Sequence, residues 1–224
     1  MNLNYPTKSV KQLPHNELNK KRAIHVAGHA VAIYLGRRKK QVPPFFHIYI
    51  KNQNYEFRLS RSLPVCNDKS GHNPENESWV RTMPVSFEKG IKGISSDQFQ
   101  QYKMAFEADV ISLLAGPLAE AKYVAMRDGE LINPRLVNLE ALQNYGGTSD
   151  LEIVQEYLEC FIFEDGEKER KISDLFLEAF TFINDKTNWL VITMLANYIL
   201  TTRKNFIDYE EVVPYLLSKL ADPH

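Results

Sequence analysis

His25 and His29 stand four residues apart, the first place in the chain where residue type and spacing together could do chemistry. On a helix, positions i and i+4 share a face about 40° apart, so one face can offer two imidazoles to a single metal ion. Catalysis by such a pair needs a third ligand and one coordination position left to water. With six histidines in 224 residues, chance alone puts a pair at this spacing in roughly one chain in eight. On spacing alone, two ordinary core or surface histidines remain the plainer reading.

The surrounding residues change that. Arg22-Ala23-Ile24-His25-Val26-Ala27-Gly28-His29-Ala30 resembles the H-E-A-G-H-A signature of the peptidase domain of FtsH-type ATP-dependent zinc metalloproteases. Leu113-Leu114-Ala115-Gly116-Pro117-Leu118-Ala119-Glu120 looks like that family's glycine-rich segment ending in Ala-Glu. Gly146-Gly147-Thr148-Ser149-Asp150-Leu151 looks like the segment that carries its third zinc ligand, an aspartate at the start of a helix. The three patches occur in the family's order, and the likeness spans about residues 15–215.

The resemblance implies one zinc ion held by His25, His29 and Asp150, with a position open to water as in catalytic rather than structural sites. Asp150 also has an ordinary role available, as a first-turn acid favoured by the helix dipole. Three roles stand for Glu120, which falls on the family's Ala-Glu position: outer partner to a ligand imidazole, substitute acid, or solvated helix glutamate. Val26 is the departure. In H-E-x-x-H the glutamate beside the first histidine takes a proton from the metal-activated water and delivers it to the leaving amine. Valine can do neither, and general acid–base catalysis typically contributes ~10² to 10⁴-fold.

The expected function is therefore a metallopeptidase-like domain that binds zinc but is impaired in hydrolysis, a pseudopeptidase. Two alternatives stay open: an active metalloendopeptidase with a substitute acid–base, and a metal-free protein-interaction scaffold. The expected partner is a protein or peptide, and the family's ring assembly implies self-association. The sequence has no G-x-x-x-x-G-K-[ST] phosphate loop, so no ATP is expected. Lys plus Arg total 27 against 28 for Asp plus Glu, a balance that argues against nucleic acid as the main partner. No apolar run approaches the roughly 20 residues of a membrane span. The N-terminus lacks a signal pattern, and Cys66 and Cys160 are too few for a disulfide framework. These features read as a cytoplasmic chain with free thiols.

The elements that must position these residues follow from periodicity and turn chemistry. Ile24, Gly28, Val31 and Leu35 recur at the helical period within a helix predicted over 17–35, capped by Asn16 and stopped at Gly36. Residues 47–51 and 55–59 read as strands around a turn at 52–54, followed by a polar loop or insertion over 60–84. A long helix is expected from Ser96 or Asp97 to Arg127, kinked or restarted at Gly116-Pro117. Ser149 and Glu152 form a plausible capping box for a helix over 150–162. A charged turn at 164–170 and helices over 172–184, 188–202 and 208–219 complete the chain. The expected class is mainly α (α+β), a single zincin-like domain over 1–224 with a small β element near residues 45–60.

Overall fold

Between Ala23 and Tyr34 every side chain of the first helix is buried, so this helix belongs to the interior rather than to an amphipathic surface. A computed structural model describes residues 15–38, 46–51, 56–60, 96–162 and 164–221. Helix α1 (His15–Arg38) packs along α2 (Ser96–Arg127). Glu17 meets Tyr123 and His29 meets Ser112, so the two helices run antiparallel. Gly28 lets their backbones approach: a Cβ there would lie 2.7 Å from the Ala115 carbonyl oxygen and 2.8 Å from the Ala119 Cβ.

Strands β1 (His47–Lys51), β2 (Glu56–Ser60) and β3 (Phe206–Asp208) form an antiparallel sheet in the order β2-β1-β3. Ile48 pairs with Leu59 on one side and Ile207 on the other. All three are buried, as are Ile50 and Phe57, the one-face-in alternation of a half-covered sheet. After a 3₁₀ helix (Glu140–Tyr145), helices α3 (Thr148–Phe161), α4 (Asp165–Asn184) and α5 (Lys186–Thr201) pack on the α1–α2 pair, and α6 (Tyr209–Ala221) packs on α5 and β3. The expected class, mainly α with a small β element, is the one observed. No described helix is long and apolar enough to cross a membrane.

Four expectations need correction. Of the kink or restart expected at Gly116-Pro117, the restart is not seen: helix α2 runs through both residues. Proline removes one intrahelical bond and crowds the preceding turn. Leu113, Leu114, Leu118 and Ala119 around it are fully or almost fully buried, and that packing holds the helix together. The run at 164–170 is helical, not a turn: it forms the start of α4, with Asp165 and Glu167 in the first turn where the dipole favours acids. Lys168 adds ion pairs to Glu159 and Asp165. Helix α3 begins at Thr148 with Gly147 as its cap and no side-chain capping bond, so the Ser149–Glu152 box is not used. Helix α1 begins at His15, which places Asn16 inside the first turn instead of at its cap. Strand β3 was not expected at all. The turn at 52–54, residues 61–84 of the loop and Cys66 lie outside the described residues.

Candidate metal centre

The site grows out of one row of residues on α1. Glu17, Lys21, His25 and His29 recur every fourth position and face α2. Opposite them, α2 presents Tyr123, Glu120, Gly116 and Ser112 in descending order. The Tyr123 hydroxyl donates to Glu17 Oε2 at 3.0 Å, and Lys21 Nζ lies 3.0 Å from Glu120 Oε1. His25 Nδ1 is 3.1 Å from Glu120 Oε2 and 3.1 Å from the Tyr145 carbonyl oxygen. His29 Nδ1 lies 2.7 Å from the Ser112 carbonyl oxygen.

Carboxylate and carbonyl oxygens only accept, so Nδ1 carries the proton and donates on both rings. The Nε2 atoms are then the ones turned toward α3. There Asp150, in its first turn, places Oδ2 at 3.3 Å from His25 Nε2 and Oδ1 at 3.4 Å from His29 Nε2. The three residues predicted as ligands from separate stretches of sequence are thus brought together, with their ligand atoms within 4.8 Å of one another. They are buried: His25 is 5 % exposed, His29 1 % and Asp150 0 %.

Glycines shape the cradle. A Cβ at Gly116 would lie 2.3 Å from both Cε1 and Nε2 of His29, so only glycine leaves room for that ring. Gly146 adopts φ +73°, a backbone region that favours glycine, as it ends the 3₁₀ helix next to His25 and Glu120. At Gly147 a Cβ would meet the Leu142 carbonyl at 2.8 Å and Pro117 at 2.9 Å. This tight approach seats the start of α3 against α2 and leaves room only for glycine at this position.

The electrostatics follow from burial. Desolvation, the largest influence on His25, pulls its pKa down, but the Asp150 and Glu120 carboxylates together outweigh it and raise the imidazole to about 9. His29 is lowered to about 4, chiefly by burial, with Asp150 opposing and the charge on His25 adding to the fall. Burial would push Glu120 up, yet His25 and Lys21 hold its carboxyl below the usual range.

This donor set suits a metal ion. Ligand atoms on a tetrahedral centre with bonds of about 2.0–2.1 Å lie about 3.3–3.4 Å apart. The two imidazole–carboxylate separations, 3.3 Å to Oδ2 and 3.4 Å to Oδ1, are of that size, each to a different oxygen, and both are long for hydrogen bonds. Neither Asp150 oxygen accepts a hydrogen bond from another donor among the described residues. A wholly buried carboxylate in that position is costly unless a cation compensates it. His25, His29 and Asp150 therefore form a buried group that could hold a metal ion.

Glu120 touches His25 at Nδ1, the edge of the ring away from Asp150, and both of its oxygens are engaged. Val26, where the resemblance expects a general base, is 2 % exposed and belongs to the hydrophobic core. Sequence reasoning missed Lys21 and the two carbonyls, those of Ser112 and Tyr145, that orient the imidazoles. The four-residue recurrence of Glu17, Lys21, His25 and His29 was a signal available for the first of these; backbone carbonyls leave no trace in residue type. The chain matches no protein-family model, no curated protein and no solved structure.

Proposed function

We propose that this chain is a zinc-binding domain of the FtsH-type peptidase kind in which peptide-bond hydrolysis is impaired. One observation supports the reading: two imidazole Nε2 atoms and the Asp150 carboxylate meet in one buried group, their ligand atoms within 4.8 Å of one another, while the residue after His25 is a valine that cannot move a proton. His25, His29 and Asp150 would hold the ion, which when bound supplies Lewis acidity to a water or a carbonyl. Glu120 and the Ser112 and Tyr145 carbonyls fix the tautomer and tilt of the two rings, as outer partners of metal-bound histidines do. With both oxygens engaged on the Nδ1 side of His25, Glu120 does not replace the missing base. The domain then acts by binding a protein or peptide rather than by turning it over.

Metal analysis of protein purified without chelator or metal-affinity tag tests this, with His25→Ala alongside. About one zinc per chain, absent from the variant, is expected, together with hydrolysis of a fluorogenic peptide near background. A Val26→Glu variant that holds zinc should gain turnover on the ~10² to 10⁴-fold scale of acid–base catalysis. A zinc-loaded variant that gains none would overturn this version of the site.

A metal-free scaffold is the second reading, and one observation favours it. His25, raised to about 9, stands as an imidazolium between two carboxylates, with Lys21 as a second cation. Two positive and two negative groups balance without an ion. Protein that takes up no zinc near neutral pH would remove the first reading and leave this one.

A further inference from the structure

The charged row on α1 does not end at the ligands. Lys21 lies one helical turn before His25, and its ammonium sits 3.0 Å from Glu120 Oε1 while Glu120 Oε2 meets His25 Nδ1 at 3.1 Å. The three groups form a chain, Lys21 to Glu120 to His25, that crosses from α1 to α2 and back. Neither charged member is a surface ornament: the Lys21 side chain is 15 % exposed and that of Glu120 9 %. A buried ion pair is costly to assemble, and this pair does nothing for the α1–α2 contact that apolar residues could not do. What it does do is fix both ends of one carboxylate, so that only Oε2 faces the imidazole.

We propose that Lys21 is a positioning residue for the His25 ligand, acting through Glu120. This rests on the reading that His25 binds zinc. By holding Oε1, Lys21 sets the rotamer of Glu120 and keeps it an acceptor for the His25 Nδ1–H; that bond directs His25 Nε2 toward Asp150 and His29. Without Lys21 the carboxylate is free to rotate, and the imidazole keeps only the Tyr145 carbonyl as a guide.

The sign of the effect separates this role from simple electrostatics. A cation near a divalent ion repels it, so removing the charge alone tightens zinc binding. Removing a positioning group weakens it, and losing an outer partner of a metal-bound histidine typically costs ~10- to 100-fold in affinity. The experiment is a zinc titration against a chromophoric competitor for wild type, Lys21→Met, Lys21→Arg and the exposed-neighbour control Arg22→Met. Thermal unfolding and the ligand-field spectrum of the cobalt(II)-loaded proteins are recorded alongside.

For Lys21→Met, zinc affinity should fall about 10-fold and the cobalt bands should shift, whereas Lys21→Arg should restore both. Arg22→Met should leave both as in wild type. Should Lys21→Met not fold, Lys21→Gln replaces it, with a loss of at least about threefold expected because a neutral donor holds Oε1 less firmly. Unchanged or tighter zinc binding by the Lys21 variant, with wild type binding normally, overturns the positioning role. Wild type that binds no zinc overturns the metal reading itself, and the two failures are thereby told apart.

Discussion

Gly116 lies directly against the imidazole of His29, with room for a hydrogen and nothing larger: a Cβ there would be 2.3 Å from Cε1 and Nε2. The glycine of α2 and the histidine of α1 are therefore one structural unit. Helix propensity and site geometry make opposite predictions for Gly116→Ala. Propensity alone favours alanine by about 1 kcal/mol, whereas forcing an extra carbon into a filled space typically costs 1–3 kcal/mol. We expect the variant to melt below wild type in the presence of chelator. Displacing His29 also strains its 2.7 Å bond to Ser112, so zinc affinity should fall at least about 10-fold. A higher melting temperature with undiminished zinc binding would show that the ring does not sit on Gly116.

The residues that meet in this buried group are legible in the sequence. The pair His25 and His29, the glycine beside Pro117, and Asp150 after a double glycine were each visible as residue types at a spacing. What the sequence withheld is what depends on contacts between elements. Helix α2 continues through Pro117 because the buried residues around it outweigh one lost hydrogen bond, a tertiary effect that no local rule registers. The start of α4 reads as a turn because its first seven residues are all charged except Gly166 and lack an apolar stripe. Their ion pairs and dipole placement support the helix instead. Strand β3 is three residues long, too short for alternation to be seen, and exists because Ile207 pairs across from Ile48. The capping box is not used because α3 starts at Thr148, ahead of Ser149, with Gly147 as its cap.

The opposed shifts of the two histidines give the metal-free protein a stability maximum. His25 has a folded-state pKa raised to about 9, so its contribution is full below the ordinary value of about 6.5 and is lost as pH rises through about 9. His29 is lowered to about 4, so its contribution is full above about 6.5 and is lost as pH falls toward 4. Glu120, also lowered, acts on the acid side in the same direction. Each wing is on the order of 3 kcal/mol. Thermal unfolding in chelator should peak near pH 6.5 and decline on both sides. A profile flat from pH 5 to 9.5 would contradict the charged His25 between two carboxylates.

The same charge predicts what leaves when metal enters. A ligand imidazole must be neutral, and at pH 6 His25 is protonated while His29 is not. That pH also lies below the range in which a zinc-bound water ionises, about 7. Zinc binding should therefore release about one proton per ion, falling toward zero for the His25 contribution above pH 9. Calorimetric titrations in two buffers of different ionisation enthalpy measure this number. No proton released at pH 6, in protein that binds zinc, would show that His25 is not held as an imidazolium before the metal enters.

Asp150→Asn asks whether the carboxylate serves a metal or only its two histidines. Asparagine keeps the shape and drops the charge that lies 3.3 Å from His25 Nε2 and 3.4 Å from His29 Nε2. In the metal-binding protein this removes the one anionic ligand, and the loss of affinity should be at least the ~100-fold upper range seen for outer partners alone. The His25 imidazole should also titrate well below about 9, since Asp150 is the first of the groups that raise it against burial. Zinc competition reads the first effect, and the histidine ring proton shifts in an NMR pH titration read the second. If the imidazole pKa falls while zinc affinity stays at the wild-type level, Asp150 is a partner of His25 alone and the ion is held elsewhere. If both fall together, the carboxylate completes the metal centre that the two histidines begin.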